Sequence, residues 1–236
     1  MVNLAIIPAR GGSKRIPRKN IKPFLGKPII AYSITAAIES NLFDEVIVST
    51  DDEEIASIAI EYGAKVPFLR SKENSSDYAT TFDVIEEVIN WYKLKDVEIV
   101  NTCCLYATAP FISSSLLKES FNLLENSKFD CVFPAVRFGF PIQRAVKLDS
   151  TSNKMEMFQP EHLNSRSQDL EPAFHDVGQF YFFNVETIIK ERKLWTNNTG
   201  IVEISELEAQ DIDNEIDWKL AEIKYKMRLD NEKNSL

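Results

Sequence analysis

The sequence predicts an α/β protein in which a Rossmann-like, mostly parallel β-sheet is flanked by helices. Short apolar runs alternate along the chain with amphipathic stretches of helical spacing, as is typical of βαβ units. The chain has 236 residues, a length that suits a single domain over residues 1–236. Hydrophobic residues make up 44% of it, enough to bury a substantial core. Because ligands of such sheets bind at the carboxyl ends of the strands, we expect the functional site there.

The elements follow one another in a regular order through the first half of the chain. Short apolar runs predict strands at residues 4–7, 46–48, 65–69, 97–103 and 177–183. Helices are predicted at residues 28–42, 53–62, 81–94, 116–124 and 214–229. Gly63 follows the second helix, at a position where glycine commonly ends a helix. The final helix is predicted to be amphipathic, with an apolar side formed by Ile216, Leu220, Ile223 and Met227.

Residues of about 134–175 interrupt this alternation. The stretch is irregular or hairpin-like, and it is too short and too poor in apolar residues to hold its own core. We therefore expect a small inserted element that leaves the main sheet, rather than a second domain.

The charge of the chain restricts its partners. The formal net charge is −9, and no long basic run breaks the acidic balance. A nucleic-acid-binding protein usually presents a broad basic face, so we expect no nucleic-acid partner. A local cluster of cations can still bind an anionic small molecule against the global sign of the charge.

The three cysteines predict a reducing, cytoplasmic location. Cys103 and Cys104 are neighbours, Cys131 is alone, and none has the spacing of a metal-binding CxxC motif. We interpret them as small apolar residues in strands, without disulfides. The first residues lack the features of a secretory signal, and no apolar run has the length of a membrane span. We therefore expect no membrane association.

A basic loop follows the first predicted strand. Residues 10–19 include five cations, and two glycines and a serine stand among them: Arg10, Gly11, Gly12, Ser13, Lys14, Arg15, Arg18 and Lys19. Glycine lets backbone amides approach an oxyanion closely, and the cations supply charge to a triphosphate. The loop is neither a Walker A motif nor GxGxxG. A solvated charge run is the alternative, but the coincidence of strand, glycine pair and charge favours phosphate binding.

An acidic pair precedes the last predicted helix. Asp211 and Asp213 stand two residues apart, so on an extended segment they project to one side and can hold Mg²⁺. Alternatively, Asp213 caps the helix that begins near Asn214. The spacing alone does not choose between these interpretations.

Four motifs carry a resemblance to a known family. Positions 9–21 read A-R-x-x-S-K-x-x-P-x-K-N-I, and positions 48–51 read V-S-T-D. Arg70 is followed by S-D-Y-A-T-T at positions 76–81, and positions 211–213 read D-I-D. Over nearly its whole length the chain resembles the CMP–sialic acid synthetase (acylneuraminate cytidylyltransferase) family, which has the nucleotide-diphospho-sugar transferase type of fold.

The resemblance implies an activity and the residues for it. It implies transfer of CMP from CTP to the anomeric hydroxyl of a nonulosonic acid, with Mg²⁺ as cofactor and release of pyrophosphate. Arg10 and Lys19 would bind the CTP phosphates, with Lys14 and Arg15 as weaker candidates. The residues expected to hold Mg²⁺ are Asp211 and Asp213. Those expected to contact cytosine are Asn20, Arg70, Ala79 and Thr81. Thr81 also stands where it could cap a helix.

The sequence departs from the family where the family contacts the sugar. Positions 105–110 read L-Y-A-T-A-P, and positions 176–181 read D-V-G-Q-F-Y, forms that resemble the pseudaminic acid branch. Tyrosine and valine there, in place of glutamine and asparagine, are consistent with a less polar acceptor such as pseudaminic acid. The residues expected to face the acceptor are Tyr106, Arg166, His175 and Gln179.

Other interpretations stay open at this point. N-acetylneuraminate, legionaminate or 3-deoxy-manno-octulosonate could be the acceptor. A non-catalytic nucleotide-binding protein could share the fold, although it would be expected to lose Asp211 or Asp213. The inserted element resembles the family's dimer contact, and Phe138, Phe140 and Phe158 on it would suit an interface, so we expect a homodimer.

Overall fold

The computed structural model describes residues 2–234, in which helices cover both faces of a central sheet. The strands are β1 (Val2–Pro8), β2 (Pro23–Phe24), β3 (Lys27–Pro28), β4 (Glu45–Ser49), β5 (Ile99–Leu105), β6 (Cys131–Arg137), β7 (Val146–Leu148), β8 (Met155–Met157), β9 (Phe174–Asp176), β10 (Phe180–Asn184) and β11 (Thr199–Glu203). The helices are α1 (Ile30–Ser40), α2 (Glu53–Glu61), α3 (Thr81–Lys93), α4 (Ser114–Ser127), α5 (Val185–Glu191) and α6 (Glu215–Asn234). None of these helices is long and apolar enough to cross a membrane.

The main sheet is mixed but mostly parallel, which confirms the predicted fold class. Its strand order is β11-β6-β10-β5-β1-β4, and β9 pairs with β6 beside this path. Strands β1, β4, β5, β6 and β11 run in one direction, while β9 and β10 run against them. Because β1 lies between β4 and β5, the carboxyl ends of these three strands meet at one edge of the sheet.

Successive side chains of a strand point to opposite faces of the sheet and pack into two separate cores. On β1, Ala5 and Ile7 pack on the face covered by α1, α2 and α4, and Leu4 and Ile6 pack on the face covered by α3 and α5. This is the period of two that a strand buried on both faces requires. The cysteines Cys103, Cys104 and Cys131 are free and buried in β5 and β6, as predicted. Burial raises the pKa of the Cys104 thiol to about 12, so it stays protonated.

A third core joins the basic loop to the last helix. Ile16 from the loop and Ile212 from between the two aspartates are both buried against Phe24 and Trp218. The Phe24 ring meets that of Trp218 edge-on at 5.7 Å between centroids. This packing connects two segments that are about two hundred positions apart in the sequence, and it therefore sets the distance between the loop and the acidic pair.

The apolar side expected for α6 is wrong. Ile216, with 71% of its surface exposed, lies on the outer side of the helix with the rest of that set, Leu220, Ile223 and Met227. Trp218 and Ala221 face the core instead. Two apolar stripes of helical spacing compete on this helix, and the one with the larger aromatic side chains is buried.

Several other elements differ from the prediction. Residues 65–69 form no regular strand; Lys65 makes an isolated bridge to Ile47 of β4. Strands β6 and β11 and helix α5 were not predicted. Because β6 continues to Arg137 and β9 returns at Phe174, the inserted element that leaves the sheet spans residues 138–173, fewer than the expected 134–175. We call residues 138–173 the arm; it contains the hairpin of β7 and β8.

Candidate active site

A cleft of about 580 Å³ opens at the carboxyl edge of β1 and β5. It brings together ten of the residues predicted from the sequence: Arg10, Ser13, Lys19, Asn20, Arg70, Ala79, Thr81, Tyr106, Asp211 and Asp213. The basic loop, the 70–81 segment, the end of β5 and the acidic segment each form part of its wall. The cleft therefore lies where the fold class predicts a ligand site.

The basic loop is held from below by the end of β4. The Ala9 amide donates to the Ser49 carbonyl at 2.9 Å, and the Gly11 amide donates to Asp51 Oδ1 at 2.9 Å. A Cβ at position 11 would lie 2.7 Å from Asp52 Oδ2, so a larger residue there would displace Asp52 or the loop. A Cβ on Gly12 would meet no protein atom within 4 Å. Gly11 and Gly12 thus shape the loop without forming part of the cleft wall.

Two cations of the loop face a carboxylate across the cleft. Arg10 Nη1 lies 2.7 Å from Asp77 Oδ1, and Lys14 Nζ lies 2.5 Å from Asp77 Oδ2. Both pairs are substantially exposed, so each stabilises the fold only slightly. These cations are therefore accessible to an anion that enters the cleft.

Lys19 ties the loop to the acidic segment. Its Nζ donates to the Ile212 carbonyl at 2.6 Å and lies 4.0 Å from Asp213 Oδ1. Burial lowers the pKa of Lys19, while Asp213 and Asp211 act in the opposite direction. Arg15 pairs with the same carboxylate, its Nη1 lying 2.8 Å from Asp213 Oδ2. Positive and negative groups thus converge on one side of the cleft.

The helix cap of α6 is made by other residues than Asp213. Asn214 Oδ1 accepts from the amides of Ile216 at 2.8 Å and Asp217 at 3.1 Å. Asp217 Oδ2 in turn accepts from the amides of Asp213 and Asn214. This reciprocal arrangement is a capping box. The alternative role of Asp213 as the cap is therefore wrong, and its carboxylate faces the cleft.

The acidic pair suits a divalent cation. Burial and then the neighbouring Asp213 raise the pKa of Asp211, and its carboxylate pairs with no lysine or arginine among residues 2–234. A divalent cation bound between the two carboxylates would offset both the burial of Asp211 and its repulsion by Asp213. Within the same described residues no group of three or more His, Cys, Asp or Glu side chains could hold a metal. Two carboxylates plus phosphate oxygens and water are the usual ligands of Mg²⁺, so the pair fits that ion.

The four residues expected to contact cytosine all line the cleft: Asn20, Arg70, Ala79 and Thr81. Arg70 is buried, and its Nε donates to Ser49 Oγ at 3.0 Å, with a further bond to the Ser49 carbonyl. Asn20 Nδ2 donates to the Arg10 carbonyl at 2.9 Å. The cap of α3 is Thr80, whose Oγ1 accepts from the Asp83 amide, so the suggestion that Thr81 caps this helix is wrong. Thr81 is the first helical residue and lines the cleft.

Of the four residues expected at the acceptor, the structure brings only Tyr106 to this cleft. Arg166 lies on the arm and pairs with Asp169 at 2.7 Å. His175 is exposed on β9, its ring 4.9 Å from that of Phe138. Gln179 is buried and donates to the Glu208 carbonyl at 2.6 Å. It supports the segment before Asp211 rather than the cleft wall.

Sequence reasoning missed some residues that shape the site. Asp77 pairs with the loop cations, and Asp52 binds Arg18. Tyr181 donates to Asp176 behind Tyr106. Asp77, Asp176 and Tyr181 lie inside the S-D-Y-A-T-T and D-V-G-Q-F-Y motifs, which assign them no role, and Asp52 directly follows V-S-T-D. Only the fold shows what each of them contacts.

A family model for cytidylyltransferases matches residues 4–230. The chain belongs to the cytidylyltransferase family. It is therefore a nucleotidyltransferase, which confirms the enzyme class predicted from the motifs.

The chain is similar to two relatives and one solved structure that bear on its function and fold. A pseudaminic acid cytidylyltransferase of Campylobacter jejuni is 44% identical over 96% of this chain and 97% of that protein. A CMP-N,N'-diacetyllegionaminic acid synthase of Legionella pneumophila is 31% identical over 93% and 94% of the two chains. A CMP:2-keto-3-deoxy-manno-octonic acid synthetase complexed with CTP has a TM-score of 0.68 and 17% identity, covering 97% and 99% of the two chains. The last likeness supports the fold alone.

Proposed function

We propose that this cytidylyltransferase transfers CMP from CTP to the anomeric hydroxyl of a nonulosonic acid, and that pseudaminic acid is the acceptor. The observation that carries the proposal is the bond from Lys19 to the carbonyl between Asp211 and Asp213. Through this bond the basic loop contacts the segment that carries the acidic pair, and both line one cleft. The 44% identical relative from Campylobacter jejuni, named for pseudaminic acid, supports the choice of acceptor.

In the proposed reaction, the anomeric oxygen attacks the α-phosphorus of CTP. A new P–O bond forms while the bond from the α-phosphorus to the oxygen that bridges it to the β-phosphorus breaks. Pyrophosphate leaves with that oxygen, and the proton of the hydroxyl passes to solvent. Transfer of this kind depends on positioning and on charge neutralisation. Arg10 and Lys19 bind the phosphates, with Lys14 and Arg15 nearby and the amides of Gly11, Gly12 and Ser13 shaping the loop.

Asp211 and Asp213 are proposed to hold Mg²⁺ together with phosphate oxygens. When bound there, Mg²⁺ would act as a Lewis acid at the α-phosphate and neutralise its charge. The two carboxylates would hold the ion beside the segment that Lys19 contacts.

The two substrates are proposed to be recognised on different walls of the cleft. Arg70 presents a planar donor fork that suits the O2 and N3 atoms of cytosine, with Asn20, Ala79 and Thr81 around the ring. Tyr106 faces the acceptor sugar. Arg166 and His175 lie on or beside the arm, and we propose that they approach the acceptor in the cleft of a second subunit.

A homodimer is accordingly part of the proposal. The arm exposes Phe140, Leu148, Met155 and Phe158, an apolar set of the kind that marks protein interfaces. A cytoplasmic location is proposed from the three free, buried thiols, which suit a reducing compartment.

The activity is tested by mass spectrometry of the products formed from CTP, Mg²⁺ and a panel of nonulosonic acids. We expect CMP-pseudaminic acid and pyrophosphate from the native protein. Asp211→Asn should lower turnover about a hundredfold or more, because a metal ligand is lost. Asp96→Asn is the matched control: Asp96 is exposed, has a left-handed backbone that asparagine accepts, and precedes β5 at the opposite edge of the sheet.

The same panel separates the alternatives. Faster turnover of legionaminate, N-acetylneuraminate or 3-deoxy-manno-octulosonate would move the acceptor while keeping the enzyme class. CTP binding without product from any sugar acid would support the non-catalytic alternative. Unchanged turnover of Asp211→Asn at saturating Mg²⁺ would remove the proposed metal site.

A further inference from the structure

Asp77 joins two walls of the cleft. It lies on the segment of residues 71–79, and its carboxylate contacts the basic loop: Oδ1 lies 2.7 Å from Arg10 Nη1, and Oδ2 lies 2.5 Å from Lys14 Nζ. Within residues 2–234, which the structure describes, all hydrogen bonds and ion pairs between this segment and the basic loop come from Asp77. No step of the reaction described above uses this carboxylate.

The segment is fixed at both ends, and Asp77 lies between them. At one end the Ser71 amide donates to Glu87 Oε1 at 3.1 Å, and at the other end Thr80 caps α3. Asp77 itself is exposed. Its side chain can therefore leave Arg10 and Lys14 while both ends of the segment stay in place.

The Asp77 carboxylate contacts the two cations as a phosphate group would. Two of its oxygens accept from two different cations, which is also how phosphate oxygens are bound. Hydrogen bonds from Lys14 and then Arg10 lower the pKa of Asp77, so it is ionised at neutral pH. An anion that binds Arg10 and Lys14 has to displace Asp77 or share the cations with it, and like charges at that distance repel each other.

We propose that Asp77 is an internal competitor of pyrophosphate. It occupies Arg10 and Lys14 in the ligand-free enzyme, gives way when the triphosphate of CTP binds, and returns to the two cations as pyrophosphate leaves. Asp77 thereby lowers the affinity of the site for the leaving product and promotes its release, a step that limits turnover in many enzymes. This inference rests on the proposed function, and it adds to it a residue that acts on product release.

The exposure of the two ion pairs sets the size of the effect. Exposed fractions of the side chains are 40% for Arg10, 76% for Lys14 and 48% for Asp77. Exposed ion pairs of this kind shift an equilibrium by about two- to fivefold each, so loss of both pairs should change the affinity for pyrophosphate by about tenfold. A competitor of this strength assists release without preventing CTP from binding.

The test is the dissociation constant of inorganic pyrophosphate, measured by isothermal titration calorimetry in the absence of metal. We expect Asp77→Asn to bind pyrophosphate about tenfold more tightly than the native protein does. In a Lys14→Met background the same substitution should tighten binding only about threefold, because one of the two ion pairs is already absent. In turnover assays Asp77→Asn should lower the inhibition constant of pyrophosphate by about the same tenfold.

Glu73→Gln is the matched control. Glu73 is an exposed carboxylate of the same segment, so its substitution changes the net charge equally, but Glu73 lies outside the cleft lining. Glu73→Gln should change the dissociation constant of pyrophosphate less than twofold. The comparison separates the two ion pairs of Asp77 from a general effect of charge on an anionic ligand.

Three results would overturn the inference. The first is a dissociation constant for Asp77→Asn that is within twofold of the native value or above it. The second is equal tightening by Asp77→Asn and Glu73→Gln. The third is an effect of Asp77→Asn that is undiminished in the Lys14→Met background. Failure of the proposed function reads out differently, because the native protein would then form no CMP-sugar from any acid in the panel, whereas binding of pyrophosphate is measured without an acceptor.

Discussion

At the scale of single residues, the two glycines of the basic loop have different reasons to be glycine. Gly11 is confined by the protein itself, since a Cβ there would lie 2.7 Å from Asp52 Oδ2. Gly12 is unconfined by protein atoms within 4 Å. A Cβ at position 12 would therefore displace no protein atom.

This difference predicts that alanine lowers the stability of the protein at position 11 and leaves it nearly unchanged at position 12. Gly11→Ala should lower the free energy of unfolding by about 1–3 kcal/mol, because Asp52 or the loop must move. Gly12→Ala should change it by less than about 0.5 kcal/mol. Chemical denaturation of both variants in the absence of CTP checks the pair. Equal losses of stability would show that the loop is not supported by Asp52 as described.

Single residues also show what sequence reasoning could and could not reach. The resemblance alone assigns Arg70 and Tyr106 to the substrate site, and both residues line the cleft. Gln179, also expected at the acceptor, does not line the cleft. Its side chain donates to the carbonyl of Glu208, 29 positions along the chain. No local pattern encodes such a partner.

At the scale of elements, the first turn of α2 stabilises the loop after β1. Asp52 caps α2 by accepting from the Ile55 amide at 3.0 Å, and it also binds Arg18 of the loop. The hydrogen bond with Arg18 lowers the pKa of Asp52 to about 2. One carboxylate thus links a helix terminus to the basic loop.

Because the pKa of Asp52 is low, its contribution to the stability of the protein is lost as the pH falls. In the unfolded chain the pKa of an aspartate is about 3.9, so the contribution of Asp52 is complete above that pH and declines as the pH falls toward 2. Asp52→Asn keeps a capping side chain and removes the charge, and should cost up to about 1 kcal/mol at pH 7. The difference between the native protein and this variant should shrink between pH 4 and pH 2.

Asp52→Ala is the companion variant, because it removes the cap as well. It should cost about 1 kcal/mol more than Asp52→Asn at pH 7. Thermal unfolding followed by circular dichroism over this range of pH measures both differences. A difference from the native protein that stayed constant down to pH 2 would mean that Arg18 does not stabilise the ionised carboxylate.

Helix α6 shows the limit of periodicity at this scale. Its existence was predicted correctly, but its buried side was not, because apolar residues recur with helical spacing on two sides. Trp218 is buried because its ring packs against Phe24, a residue of the short hairpin of β2 and β3. Periodicity predicts that a helix is amphipathic, and the choice between two stripes depends on a distant partner.

At the scale of the whole molecule, the arm exposes large apolar side chains that do not pack into any of the cores. Phe140 on the arm has 87% of its surface exposed. If the arm forms the dimer contact, Phe140→Ser should shift the protein toward monomer in sedimentation velocity experiments. Ile60→Ser is the matched control, because Ile60 on α2 is 58% exposed and lies outside the arm. A native protein that is monomeric at micromolar concentration would contradict the dimer.

Metal removal should affect catalysis and leave the fold intact. The three apolar cores hold the sheet and helices together without the acidic pair, whose side chains lie at the cleft. We expect excess chelator to abolish release of pyrophosphate and added Mg²⁺ to restore it, with a change in melting temperature of less than about 2 °C. Undiminished turnover in chelator would contradict the proposed cofactor.

The fold as a whole was predictable because strands and helices alternate through the first half of the chain. Strand β6 is apolar and buried, but the expected inserted element begins at about residue 134, inside this strand. Helix α5 and strand β11 are short, with 7 and 5 residues, and give a weak periodic signal. The cleft was nevertheless predicted, since β1, β4 and β5 alone define its edge.

The most direct test of the central claim is a crystal structure of the native protein with CTP and Mn²⁺ in place of Mg²⁺. We expect the triphosphate within hydrogen-bonding distance of Arg10 and Lys19, and an anomalous peak for manganese between the phosphates and the carboxylates of Asp211 and Asp213. A triphosphate bound elsewhere, or a manganese peak away from both aspartates, would contradict it.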